Sequence, residues 1–170
     1  MKRCLFVYLF FLSFYSLAQN SLDSLFIEIP KATKQNYRDI IQKTIREIKK
    51  VKEKKNLEKN LDVFLRKSQQ IPFVEASLLA QIELSKYYFE QKQEAKSLEL
   101  AFEVYYKAKD VKALYEVAEV SAFLASLYVL NENNQKAMSY ALEAQDIFEK
   151  LNMPKKASAM FYDMGLVQYR

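Results

Sequence analysis

Residues 118–153 read AEVSAFLASLYVLNENNQKAMSYALEAQDIFEKLNM, and this stretch decides the fold. Its first part carries Leu124-Ala125-Ser126-Leu127-Tyr128: a large apolar residue, a small one, and an aromatic one helical turn on. A small side chain lets a neighbouring helix approach closely, and the aromatic fills the space between helices. Its second part carries Ala137, Ala141 and Ala144, continuing into Ile147, Phe148 and Leu151, at the spacing of one helical face. Between the two lies Asn131-Glu132-Asn133-Asn134, whose side chains suit turns and caps. The pattern predicts helix, short turn, helix.

Working outward, the same unit recurs at a constant step. Leu84-Ser85-Lys86-Tyr87-Tyr88 stands one period before the Leu124 block, and Met164-Gly165-Leu166-Val167-Gln168 stands one period after it. Ser97, Ala101 and Val104 stand one period before Ala137, Ala141 and Ala144, and Gln91-Lys92-Gln93 supplies the polar turn. Composition agrees: 51% hydrophobic residues can fill a continuous core, while one glycine and three prolines are too few for a sandwich or barrel. The expected class is all-α.

A small residue between a Leu and a Tyr, followed by Ala-x3-Ala-x2-Ala and by Pro154, resembles the tetratricopeptide repeat family, with a period above that family's usual length of about 34 residues. The likeness covers residues 74–170, about two and a half units, and is best between Ala118 and Met153. Ser85 and Ala125 stand where the family has glycine, and Gln168 where it has tyrosine. The resemblance implies a right-handed α-solenoid of antiparallel helix pairs with extended linkers between units. Similar extended units occur in the extracytoplasmic sensor regions of bacterial histidine kinases and helix-turn-helix regulators, whose inter-repeat linker the segment Asp146 to Asn152 resembles. Carried over position by position, it implies a concave partner-binding groove exposing Ile82, Lys86 and Phe89, then Ala122, Ser126 and Val129, then Tyr162, Leu166 and Tyr169. Each of these is alternatively a core residue. A mode in which some family members hold a terminal carboxylate is not matched, because Glu83, Phe123 and Asp163 occupy its positions.

The N-terminus reads as an address. Lys2 and Arg3 precede an uncharged run, Leu5 to Leu17, and Ser16-Leu17-Ala18 fits a signal-peptidase site, so residues 1–18 are expected to be removed after Ala18. The run is shorter than the roughly 20 residues of a spanning helix, leaving a retained anchor as the alternative. The expected location is periplasmic or extracellular. Cys4, the only cysteine, precedes the apolar run, which excludes a lipoprotein cysteine and leaves the processed chain without thiol chemistry.

Residues 19–36 are expected as a linker and residues 37–70 as a helical pair, from the periodic sets Tyr37, Ile40, Ile41, Ile45, Ile48 and Leu57, Leu61, Phe64, Leu65. A shift back by one more period sets Ile45 opposite Ser85, so the pair reads as a worn repeat serving as a cap. Between 31 and 67 stand 13 Lys or Arg against five acids, a net of +8, whereas residues from 68 onward carry 11 against 14. The candidate basic patch is Lys43, Arg46, Lys49, Lys50, Lys52, Lys54 and Lys55. A solvated face is the plain reading; an anionic membrane surface or an acidic partner are the sharper ones, and export disfavours nucleic acid.

The chain has no histidine, its single glycine is Gly165, and its paired carboxylates, Glu90 with Glu94 and Glu99 with Glu103, sit at the spacing of a solvated helix face. No enzyme, cofactor or metal is expected. The end of the chain leaves Met160, Phe161, Met164 and Val167 without a covering helix, implying a cap, a self-associating surface or a fragment of a longer protein. Two functions remain: a non-catalytic scaffold or sensor region binding a protein or peptide, and a membrane-surface or structural protein using its basic helical pair.

Overall fold

The fold is taken from a computed structural model of the chain, which describes residues 22–160. Every regular element among them is helical: α1 (residues 22–28), a 3-10 turn (Ile29–Lys31), α2 (Tyr37–Ile48), α3 (Lys54–Ser68), α4 (Val74–Glu90), α5 (Glu94–Asp110), α6 (Leu114–Leu130), α7 (Asn134–Lys150) and α8 (residues 154–160). Contacts divide the chain between Ala80 and Gln81 into two compact units.

From α4, within which that boundary falls, the chain runs on a strict cadence. The helices α4 to α7 are each 17 residues long. Three-residue turns join them, so that helices begin at 74, 94, 114, 134 and 154. The middle residue of each turn is left-handed: Lys92 (φ 59°), Lys112 (φ 56°), Glu132 (φ 56°) and Asn152 (φ 55°). The following amide reaches back five residues, Gln93 to Tyr88, Ala113 to Ala108, Asn133 to Tyr128 and Met153 to Phe148, each at 2.9 Å. These are Schellman caps, which satisfy carbonyls that a helix end leaves unpaired. Asn133 also caps the next helix, its side chain accepting from the Lys136 amide at 3.2 Å.

The long period therefore comes from two long helices and two short turns, not from extended linkers. Asp146 to Lys150, expected within a linker, form the last turn of α7. The physical reason is that the buried face does not stop at Ala144: Ile147 and Phe148 continue it. The alanine faces pack as their spacing demands. Ser97, Ala101, Val104 and Ala108 on α5 are buried, and so are their period mates Ala137, Ala141, Ala144 and Phe148 on α7. Between them α6 contacts both α5 and α7 and is buried on nearly every side, from Tyr115 to Ser121 and at Leu124, Ala125 and Leu127.

The first unit has its own core, in which Leu25, Ile29, Ile41, Ile45, Ile48, Phe64, Leu78 and Leu79 are fully buried. Residues 22–31 are not a linker. Leu22, Leu25, Phe26 and Ile29 fall at i, i+3, i+4 and i+7 and are all buried. The 3-10 turn that follows packs against α2 and α3. Tyr37 meets Phe73 edge to face at 5.3 Å. Helices α2 and α3 have 12 and 15 residues and are joined by residues 49–53 without a left-handed position, so this pair does not share the cadence of the second unit. No described helix is long and apolar enough to cross a membrane. The expected cleavage after Ala18 lies outside the described residues.

Candidate functional site: a tyrosine and lysine cleft between α5 and α7

The residues expected to line a groove on the first helices of each pair divide three ways. Ile82 is fully buried and belongs to the core, because its position on α4 faces inward between Leu78, Leu79 and Ser85 in the same buried stripe. Lys86 is drawn into an ion cluster: its ammonium contacts Glu83 at 3.0 Å and Glu119 at 3.5 Å. Phe89 is half-buried and meets Phe123 edge to face at 6.2 Å. Ala122 and Val129 are half-buried, and Ser126 is exposed with its hydroxyl turned back onto the Ala122 carbonyl at 3.1 Å. Tyr162, Leu166 and Tyr169 lie outside the described residues, as do Phe161, Met164 and Val167. Met160, expected to be uncovered, is buried.

Glu119 organises that face. It is buried on α6 and also binds Lys156 of α8, whose ammonium contacts the Tyr115 hydroxyl at 3.0 Å and lies 5.3 Å from the Phe148 ring centre. Burial pushes the Glu119 carboxyl upward, but Lys86, Lys156 and Tyr115 outweigh it and hold the group below the usual carboxylate range. Burial likewise pulls the Lys86 ammonium down, and Glu83 and Glu119 more than reverse it. Both charges are compensated, so the cluster fastens α4, α6 and α8 together and offers no spare charge to a ligand.

The more open chemistry lies on the second helices. Tyr105 and Lys109 of α5, with Lys136, Ser139, Tyr140 and Glu143 of α7, line a cleft of about 410 Å³. Glu143 is its fixed point: Oε1 accepts from Lys109 at 2.9 Å and from the Tyr105 hydroxyl at 3.3 Å, while Oε2 accepts from Ser121 at 2.9 Å. Burial raises the Glu143 carboxyl, but these three donors, Lys109 foremost, hold it below the usual range. The Lys109 ammonium also contacts the Tyr105 hydroxyl at 2.9 Å, and its pKa is raised through both hydrogen bonds. Burial, then the neighbouring Tyr105, Tyr128, Tyr106 and Glu143, push the Tyr140 hydroxyl up to about 12.

Five rings continue one another beside this cleft. Phe102 stacks on Tyr106 at 6.2 Å, Tyr106 meets Tyr105 at 5.4 Å, Tyr105 meets Tyr140 at 5.5 Å, and Tyr140 stacks on Tyr128 at 5.7 Å with planes 3° apart. Tyr106 is 64% exposed, an uncommon setting for so large a ring. Lys136 lies 5.1 Å from the centre of Tyr128, and one period earlier Lys96 lies 4.0 Å from Tyr88. The sequence alone hid the cleft because the resemblance placed binding on the first helices. The signal present was the same Tyr and Lys pair in successive repeats, Tyr88 with Lys96 and then Tyr128 with Lys136.

In the first unit Lys43, Arg46, Lys49, Lys50, Lys52 and Lys55 are all exposed; the side chain of Lys54 lies outside the description. Lys50 pairs with Glu47 at 2.6 Å. Glu90, Glu94, Glu99 and Glu103 are exposed, and among the described residues no group of three or more acidic, histidine or cysteine side chains is arranged to hold a metal ion. Compared with known proteins, the chain matches no family model, no curated protein sequence and no solved structure.

Proposed function

We propose that this chain is an exported, non-catalytic scaffold of the tetratricopeptide type, its antiparallel helix pairs stacked as a right-handed solenoid, and that it binds a polypeptide. The cadence of 17-residue helices and three-residue turns supports the stacked-pair arrangement. In the setting the resemblance implies, the chain is the sensing region of a longer signalling protein.

One observation carries the binding reading: the run of five aromatic rings passing through the α5–α7 cleft at Tyr105 and Tyr140, with Tyr106 exposed and two lysines lining the cleft. Rigid aromatic rings give a partner large contact area at low entropic cost, and Tyr and Arg or Lys together serve both apolar and carboxylate groups. Glu143 answers Lys109, whereas Lys136 rests on the face of Tyr128, so the rim favours a partner segment carrying negative charge beside an apolar side chain. The first-helix face supports binding less well, because Ile82 is buried and Lys86 is compensated.

The test is selection of a displayed random-peptide library on the chain. Enrichment of a shared motif whose binding falls at least about tenfold on Tyr106→Ala or Lys136→Ala supports the reading, at roughly the 1.4 kcal/mol expected of an interface anchor. Equal binding to those variants moves the site elsewhere.

A further inference from the structure

We propose that the first unit is a docking surface for an anionic lipid bilayer, which goes beyond the polypeptide-binding reading and is independent of it. Between Lys43 and Lys59 stand eight basic residues against three acids, the densest charge in the chain. The folding of α2 and α3 sorts these charges onto water-facing stripes. On α2 the residues Tyr37, Ile41, Thr44, Ile45 and Ile48 face the core, which leaves Lys43 and Arg46 on the opposite side, with exposed Lys50 just beyond the helix end. On α3, Leu61 and Phe64 are buried, and Lys55, Lys59, Asp62 and Arg66 form the exposed stripe.

The connector between the two helices adds exposed Lys49 and Lys52. The acids are few and local: Glu47 serves Lys50, and Asp62 serves Arg66 at 3.0 Å. The surface therefore keeps a surplus of positive charge spread over two helices and their connector, rather than donors converging on one point as a small anion requires. That geometry fits an extended plane of negative charge rather than a discrete ligand.

Two features favour lipid over another polyanion. The apolar run Leu5 to Leu17 behind Lys2 and Arg3 predicts export across a membrane, which separates the chain from nucleic acid. The segment that follows this run is also not a loose tether: Leu22, Leu25, Phe26 and Ile29 are buried, and the Ile29–Lys31 turn packs on both basic helices. Residues 22–31 therefore belong to the same folded unit as the basic pair. On the same segment Ile27 is 62% exposed, an apolar side chain beside exposed Lys31 that can enter the headgroup region.

The experiment uses the chain from Gln19 onward, its helicity checked by circular dichroism, in sedimentation with vesicles of phosphatidylcholine alone or with one third phosphatidylglycerol. Binding to the anionic vesicles, lost on raising salt from about 50 to about 500 mM and weakened at least about tenfold in the quadruple variant Lys43→Glu, Arg46→Glu, Lys52→Glu, Lys55→Glu, is the expected result. The matching Lys-to-Arg variant, with Arg46 unchanged, retains binding and separates loss of charge from loss of fold. Absence of binding to anionic vesicles at low salt, equal binding to neutral vesicles, or tighter binding to a short duplex DNA overturns the proposal. None of these outcomes bears on Tyr106 or Lys136, so the scaffold reading stands or falls separately.

Discussion

Ser85 and Ser97 hydrogen-bond to each other's backbones: the Ser85 hydroxyl donates to the Ser97 carbonyl at 2.6 Å, and the Ser97 hydroxyl donates to the Ser85 carbonyl at 2.8 Å. Both residues are fully buried, and the bonds exist because α4 and α5 approach closely where each carries a small side chain. One period on, Ala125 and Ala137 occupy the equivalent places, also buried. The close approach is thus the shared feature and the hydroxyls are a local addition.

The double variant Ser85→Ala, Ser97→Ala is accordingly expected to stay within about 1 kcal/mol of the parent in urea denaturation, since the hydroxyl donors are removed, the accepting carbonyls belong to helical backbone, and the change recreates the alanine pair found at 125 and 137. Ser85→Leu is expected to cost about 1–3 kcal/mol by forcing the helices apart. A double variant much worse than Ser85→Leu would show that the hydroxyls, not the close packing, hold this joint.

The left-handed turn residues give a graded series. Lys112 and Glu132 hold φ of 56° with a β-carbon present, which costs roughly 1–2 kcal/mol in that region. Glycine removes this cost and brings back about 0.5–1 kcal/mol of chain entropy. Lys112→Gly and Glu132→Gly should therefore each stabilise by up to about 1 kcal/mol, with Asn152→Gly gaining less because asparagine tolerates the conformation. The denaturation midpoint at constant slope reads the effect.

Acid should loosen the second unit through two carboxylates. Glu119 and Glu143 are held below the ordinary value of 4.5, so their contribution is present above that pH and is lost as pH falls through their lower folded-state values. Lys86, raised above 10.5, gives the opposite edge: its contribution is complete below that pH and fades above it. Glu119→Gln should be less stable at neutral pH and show a flatter decline below pH 4.5, measured by thermal melting across the acid range. An unchanged slope would show that Glu119 has no part in the acid response.

Tyrosine ionisation offers a direct check of the cleft. With Tyr140 pushed up to about 12 and Tyr105 also raised by burial, a spectrophotometric titration should show phenols ionising above the ordinary value of about 10, and Tyr140→Phe should remove one phenol from that late phase. Replacing Lys136, which rests on Tyr128 outside the Glu143 network, should leave it in place.

Much of the second unit was legible because its signals are local: the spacing of Ser97, Ala101 and Val104 recurs at Ala137, Ala141 and Ala144, and the Leu84 block recurs at Leu124. The turn conformation was not, since Lys and Glu occupy left-handed places where glycine would have announced them. The first helix was legible in Leu22, Leu25, Phe26 and Ile29 but was masked by the expectation of a linker after the leader. The cleft was hidden for a different reason: Tyr105 and Glu143 lie 38 residues apart, and their meeting depends on how α5 and α7 pack around α6.

Binding of a polypeptide through the aromatic run and the α5–α7 cleft is open to one direct measurement. It is the affinity of a motif selected from a displayed peptide library for the parent chain and for Tyr106→Ala, Lys136→Ala and Phe89→Ala variants, all shown to be folded. Binding to the parent and to Phe89→Ala is expected, with a loss of about tenfold or more in the first two variants. Failure to enrich any motif, or a loss confined to Phe89→Ala, would contradict a binding site at the cleft.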